Sequence, residues 1–334
     1  MSVDERAPIG ILLMAYGTPE TPDQVEAYFT HIRGGRVPSP ESVANLQERY
    51  ELVGGRTPLL DITEQARAGL EAELNGQPGA RYRVYAGMKH WHPYIADVLA
   101  RMAEDGIRRV IAMALAPHYS RISIGGYRKA VDAGAAQLGN PFDVTFVESW
   151  HLQPEYLDLI ADHIRTARAQ FAPEEQAHIL TVFSAHSLPE RIRTWDDPYE
   201  RQLLASSAAV AARLGLADWR FAWQSAGNTG EPWIGPDILD YLETLHAEGV
   251  RAVLQVAIGF VADHLEVLFD IDYEAKRKAA ELGMTLHRTA MPNATPAFIK
   301  NLAAIVTEAE RAGSPPVEAR VEARVEARVE ATAR

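Results

Sequence analysis

Pro93–Leu115 reads PYIADVLARMAEDGIRRVIAMAL, and Pro236–Ile258 reads PDILDYLETLHAEGVRAVLQVAI. The two align without a gap. Each begins at a proline, has apolar residues at helical spacing (Ile95 and Leu99, Ile238 and Leu242), stops at a glycine (Gly106, Gly249) and runs into an apolar stretch. An amphipathic helix, a glycine stop and a buried strand are what such a pattern encodes. A second pair is shorter: AYGTPE at 15–20 and AHSLPE at 185–190, with a different offset, so loop lengths differ between copies. We read a duplication of one α/β unit.

Working outward, short apolar runs alternate with longer amphipathic stretches. Strands are expected at Ile9–Ala15, Arg83–Gly87, Val110–Ala116, Val144–Ser149, His178–Ser184, Arg220–Gln224, Ala252–Ile258 and Thr285–Arg288. The intervening segments are long enough for crossover helices, so each half should carry a four-stranded parallel sheet flanked by helices. Expected boundaries are 1–145 for the first domain and 146–312 for the second, whose last helix packs back on the first. Residues 313–334 form a low-complexity tail. In its VEAR repeats, helical i, i+4 spacing would pair Glu with Glu and Arg with Arg.

The 334 residues include no cysteine, which excludes disulfides, thiolate zinc sites and cysteine-ligated iron–sulfur clusters. A net charge of −12 argues against nucleic acid as partner. No apolar run reaches the ~18 residues of a membrane span, and the acidic N-terminus lacks an apolar leader core, so a cytoplasmic location is expected. Neither Gly17-Thr18-Pro19 nor SIGGY at 123–127 has the spacing of a phosphate loop.

In open parallel sheets, ligands bind beyond the carboxyl ends of strands. Tyr16 and His186 occupy equivalent positions there, so two facing domains would bring them to one cleft. The segment IGFVADHLEVLFDIDYE at 258–274 also follows a strand end. In an α-helix Glu266, Asp270 and Glu274 would fall at i, i+4 and i+8, a like-charge stripe that costs stability. Asp263 and Glu266 alone can be explained as a capping box. Asp270 and Glu274 lie beyond the first turn and suit a stripe that attracts cations.

Several motifs together resemble the ferrochelatases over residues 8–305: LLMAYGTPETPDQVEAYFTHIRGGR from Leu12, ERYELVGGRTPL from Glu48, LAPHYS from Leu115, VFSAHSLPERI from Val182, WQSAGNTGEPWIGPD from Trp223 and GFVADHLEVLFDIDYE from Gly259. MAYGTP and FTHIR resemble the form that acts on coproporphyrin III. The resemblance implies two Rossmann-like domains of the type II chelatase fold with a tetrapyrrole between them, and insertion of Fe²⁺ into coproporphyrin III to give coproheme. It implies catalysis and metal binding by His186 and Glu266, with Asp270 and Glu274 as a path for cations or protons. Tyr16 would be the axial contact to product iron. Arg33, Arg49, Tyr50, Thr57 and Tyr127 would hold propionates or the macrocycle rim, Thr57 keeping the hydroxyl of a serine often found there.

No cofactor beyond substrate Fe²⁺ is expected, since the [2Fe–2S] cluster of some relatives needs cysteines. A coproheme decarboxylase and an iron donor are the expected transient partners. Lys89 and His90 follow a strand and either touch the cleft or lie beside it; His118 serves equally well as a satisfied core histidine; Trp233 should pack near the cleft. The alternatives are a protoporphyrin IX ferrochelatase, a cobalt or nickel chelatase of the same architecture, and a non-catalytic haem carrier. The shorter cobalt and nickel enzymes rely on paired histidines, and a carrier needs neither proton acceptor nor metal path.

Overall fold

The computed structural model describes residues 7–76, 79, 81–227 and 229–313; the VEAR tail from Ser314 lies outside them. The elements in chain order are β1 (Ile9–Ala15), α1 (Val25–Ile32), α2 (Pro40–Leu52), α3 (Leu59–Leu74), β2 (Tyr82–Met88), α4 (Ile95–Glu104), β3 (Arg109–Ala114), α5 (Ile124–Gln137), β4 (Asp143–Val147), α6 (Pro154–Arg168), β5 (Ile179–His186), α7 (Tyr199–Leu214), β6 (Trp219–Gln224), α8 (Ile238–Ala247), β7 (Ala252–Val256), α9 (Leu265–Leu268), α10 (Lys276–Glu281), β8 (Thr285–Arg288) and α11 (Pro296–Ala312). Every expected strand is present. β4 runs to Val147, so the first sheet extends two residues past the expected boundary at 145.

Both sheets are four-stranded and parallel, ordered β2-β1-β3-β4 and β6-β5-β7-β8. The orders are the same when β5–β8 are matched to β1–β4, as a duplication requires. The repeated segments superpose in role: α4 with β3, α8 with β7. Gly106 and Gly249 take φ of 78° and 91°, the left-handed conformation that ends a helix without a Cβ clash. In each copy the turn before the helix is tied to the preceding strand, Met88 N donating to Pro93 O (2.8 Å) and Trp223 N to Pro236 O (2.9 Å).

Ile95, Val98, Leu99 and Met102 are the buried face of α4, and Ile238, Leu242 and Leu245 that of α8. Each packs with its sheet into a separate core. A third core is shared. Ile11 and Leu13 of β1, Leu70 of α3, Ile160 and Ile164 of α6, Phe183 of β5, Leu254 of β7 and Leu302 of α11 belong to one continuous apolar cluster. α11 also reaches the first sheet: Tyr82 donates to Glu310 (2.5 Å), and Ile299 fills the space over Gly69, where a Cβ would meet its side chain at 3.0 Å.

A polar seam joins the halves as well. Asp197, ahead of α7, accepts from Arg121 N (2.7 Å) and Ser120 Oγ (3.2 Å), and Gln202 of α7 accepts from Tyr119 N (2.7 Å). His118 is buried, with Nε2 at 2.7 Å from Ser206 Oγ across the same seam. Burial lowers its imidazole well below the ordinary value, so it is a neutral core histidine.

Candidate active site

β1 and β5 occupy equivalent places in their sheets, and each ends in a candidate site residue: Tyr16 just beyond β1, His186 as the last residue of β5. Close packing of backbone aims both. Gly17 turns the chain at φ 94°, and a Cβ there would stand 2.8 Å from Trp91 Cβ. Gly259, after β7, lies against Ala185, where a Cβ would come within 2.6 Å. Neither position tolerates a side chain without displacing the strand end that carries Tyr16 or His186.

Glu266 stands between two imidazoles. His186 Nε2 is 3.5 Å from Oε1, and His264 Nε2 is 3.3 Å from Oε2. His186 Nδ1 points at the Ser187 carbonyl oxygen, which places its proton there and leaves Nε2 to face Glu266. Burial would lower the His186 imidazole, but the Glu266 carboxylate outweighs it and lifts it to about 9. Burial would raise Glu266; the two imidazoles instead hold it well below the usual carboxylate range. The resting pair is therefore imidazolium and carboxylate. Glu266 is 36% exposed, so a cation arriving from solvent can reach it.

The acidic segment is not the regular helix expected. Four residues of α9 lead into a π-helical stretch, Asp270–Ala275, where Glu274 N donates to Phe269 O (2.9 Å), five residues back. Such wide turns concentrate at functional sites. The capping box does not form either. His264 occupies the cap position without a capping side-chain bond, while Asp263 accepts from Asn293 Nδ2 (2.7 Å) and pairs with Arg288 (3.0 Å), which also pairs with Asp272 (2.7 Å). Arg288 thus anchors the loop to β8 in place of a cap.

Asp270 is buried and accepts from the Ser225 hydroxyl. Burial, then the Glu266 charge, raises it to about 7. Glu274 is raised by burial in the same way, with Arg49 opposing. Arg49, Asp270, Glu274, Asp237, Gln224 and Ser225 line one cavity that is open to solvent. Arg49 thereby lies with the acids, its guanidinium 4.9 Å above the Phe269 ring. Arg33 is elsewhere, exposed at the end of α1 and 5.7 Å over Phe29.

Tyr50 and Thr57 are buried and meet through Thr18, whose Oγ1 lies 2.9 Å from Tyr50 Oη and 3.1 Å from Thr57 Oγ1. Tyr127 is buried on α5 with Lys89 Nζ 5.2 Å above its ring, and the same ammonium is 5.8 Å from Tyr16. Burial raises the phenols of Tyr50 and Tyr127; Tyr16 is 40% exposed, yet the protein around it raises its phenol too, and Glu266 adds to each, which ties these first-domain residues electrostatically to the second-domain carboxylate. Trp233 packs beside His186, ring centroids 6.1 Å apart, with its indole against Gly227.

Gln224 and His264 were missed as site residues. Gln224, fully buried at the end of β6, donates from Nε2 to the Glu266 carbonyl (2.7 Å) and accepts from Ser184 Oγ (2.9 Å); its own carbonyl accepts from Ser187 N (2.7 Å). It joins the segments carrying His186 and Glu266. A glutamine amid apolar strand residues is the trace it leaves in sequence. Ser225 beside it takes φ 60°, uncommon for a residue with a side chain, as strained positions at sites often do. Gln224→Ala would take the side-chain donor from the Glu266 carbonyl and the acceptor from the Ser184 hydroxyl proton, each loss costing about 1–3 kcal/mol. Urea denaturation should show a stability loss of roughly 2–6 kcal/mol, with kcat falling more than porphyrin affinity; an unchanged urea midpoint would refute this network.

Against known proteins, a family model described as Ferrochelatase matches residues 8–310. A protein named ferrochelatase from Herpetosiphon aurantiacus is 50% identical over 301 residues, covering 90% of this chain and 99% of its own. Proteins named coproporphyrin III ferrochelatase from Oceanobacillus iheyensis and Bacillus subtilis are 43% and 42% identical, each covering 90% of this chain and 97% of its own. Among solved structures, SirB from Bacillus subtilis with Fe³⁺ matches with a TM-score of 0.56 at 10% identity, covering 91% of this chain and 96% of its own. That likeness concerns the fold.

Proposed function

Given that the chain belongs to the ferrochelatase family, and so is an enzyme of haem biosynthesis that inserts ferrous iron into a porphyrin, we propose that its porphyrin is coproporphyrin III and that His186 and Glu266 carry the chemistry. The observation that supports the chemistry is the His186–Glu266 pair, set beyond strand ends and reachable by solvent cations; the choice of porphyrin is supported by the relatives named coproporphyrin III ferrochelatase. The balance is simple: porphyrin with two pyrrole N–H groups plus Fe²⁺ gives the iron porphyrin plus two protons.

The pair supplies an order of events. Before metal arrives, Glu266 keeps His186 protonated, so the imidazole is no base. A dication on Glu266 cancels the carboxylate's pull and repels the imidazolium. The proton leaves, and a neutral imidazole becomes available to take a pyrrole proton or to ligate the iron. Asp270, at about 7, can exchange a proton near neutral pH and is coupled to solvent through the cavity it shares with Glu274 and Arg49. Tyr16 approaches the macrocycle from the first domain, and Arg33, Arg49, Tyr50, Thr57 and Tyr127 serve its propionates and rim. No resident cofactor is required.

Coproporphyrin III carries two propionates where protoporphyrin IX carries vinyls. A hydrogen bond to a charged group contributes about 1.5–3 kcal/mol, so kcat/KM should favour coproporphyrin III by about tenfold or more. Anaerobic Fe²⁺ insertion followed by loss of porphyrin fluorescence tests the reading. Equal values, or a preference for protoporphyrin IX, would overturn it. Because coproheme still bears its propionates, a coproheme decarboxylase is the partner to which product passes, and an iron donor supplies the metal. Among the described residues no helix is long and apolar enough to cross a membrane, and we place the reaction in the cytoplasm.

A further inference from the structure

Two imidazoles on the first domain's side have no part in the chemistry above. His31, in the last turn of α1, and His90, just after β2, face each other with Nδ1 atoms 3.1 Å apart and rings at 74°. Metal–imidazole bonds are about 2.0–2.1 Å; two of them meeting at about 98°, between octahedral and tetrahedral angles, span that same separation.

The rings are set before any cation arrives. Tyr94 stacks on His31 (4.7 Å, 22°), with His92 against its ring (4.4 Å). His90 lies 4.5 Å from the Tyr16 ring, and its backbone N–H donates to the Tyr16 carbonyl (2.8 Å). His31 is exposed and His90 half-buried, so solvent can reach the pair and complete a coordination sphere. The neighbouring cation, Lys89, turns its ammonium toward Tyr16 and Tyr127.

We infer that His31 and His90 form a second site for a divalent transition metal, beside Tyr16 and separate from His186–Glu266. Paired neutral imidazoles select Fe²⁺, Co²⁺, Ni²⁺ or Zn²⁺ over Mg²⁺ and Ca²⁺, which prefer oxygen. Two protein ligands and water make an open, labile site, unlike the closed four-ligand set of a structural metal. It suits a cation that stays briefly and leaves, as a substrate metal does.

Ni²⁺ is the probe, titrated calorimetrically into untagged protein carrying His186→Ala and Glu266→Gln, which silences the first site. One Ni²⁺ should still bind. Adding His31→Ala or His90→Ala should weaken it at least tenfold, while His178→Ala, at an exposed histidine outside the pair, should leave it unchanged. Bound Cu²⁺ should show nitrogen hyperfine splitting from two imidazoles, falling to one in either single variant. Circular dichroism checks folding, and His31→Gln stands in if the alanine form unfolds. If the silenced protein binds no Ni²⁺, or binds it equally with both imidazoles removed, the pair is an N–H···N hydrogen bond and the site does not exist.

Discussion

Replacing His186 by alanine should reduce Fe²⁺ insertion below a tenth of the parent rate while porphyrin binding changes little. The imidazole's contacts are with Glu266, the Ser187 carbonyl and the Trp233 ring, not with the residues proposed to hold propionates. A positioned general base contributes about 10²–10⁴-fold, so the loss should appear in kcat. Anaerobic insertion assays paired with fluorescence-quenching titrations of the porphyrin separate the two steps. Insertion above a tenth of the parent rate would remove His186 from the chemistry.

The same variant carries a pH signature. His186 is raised from 6.5 to about 9 in the folded chain. The stability it contributes is therefore fully present below about pH 6.5 and lost as pH rises through about 9. His186→Ala should flatten that part of the stability profile. In the proposed mechanism Fe²⁺ displaces the imidazole's proton, so metal affinity in the parent should rise with pH up to about 9, and the rise should vanish in the variant.

Glu266→Gln should be the second severe change, because it removes the carboxylate proposed to receive the metal, which also holds His186 protonated. Asp270→Asn and Glu274→Gln should be milder and graded with distance, mainly raising KM for Fe²⁺. For the half-buried Glu274 the effect should shrink at high salt, since charges are screened beyond ~10 Å at 0.1 M; buried Asp270 should be less sensitive. Equal falls in kcat for all three, with KM unchanged, would rule out a path. If Glu266 alone matters, the other two are an idle acidic face.

The eight strands, their parallel arrangement and the duplication were legible in the sequence, because helical and strand periodicities are local and the repeat from Pro93 to Pro236 is gap-free. The positions of Tyr16 and His186 at strand ends, and of Glu266 in the segment beyond one, were legible because the motifs fix them relative to the strands. Three matters were decided by the tertiary structure. Asp263 is drawn from its capping role by Arg288, which is 25 residues away in sequence, so local pattern could not reveal the competition. The acidic segment takes π turns because the chain must set Glu266 against two imidazoles, aim Asp270 at Ser225 and bury Ile271 within a few residues. Gln224 and the His31–His90 pair acquire meaning through contacts between segments 42 and 59 residues apart. Sequence periodicity reports which face of an element is buried; which polar groups then meet depends on how the elements dock, and that is set by the shared core between the sheets.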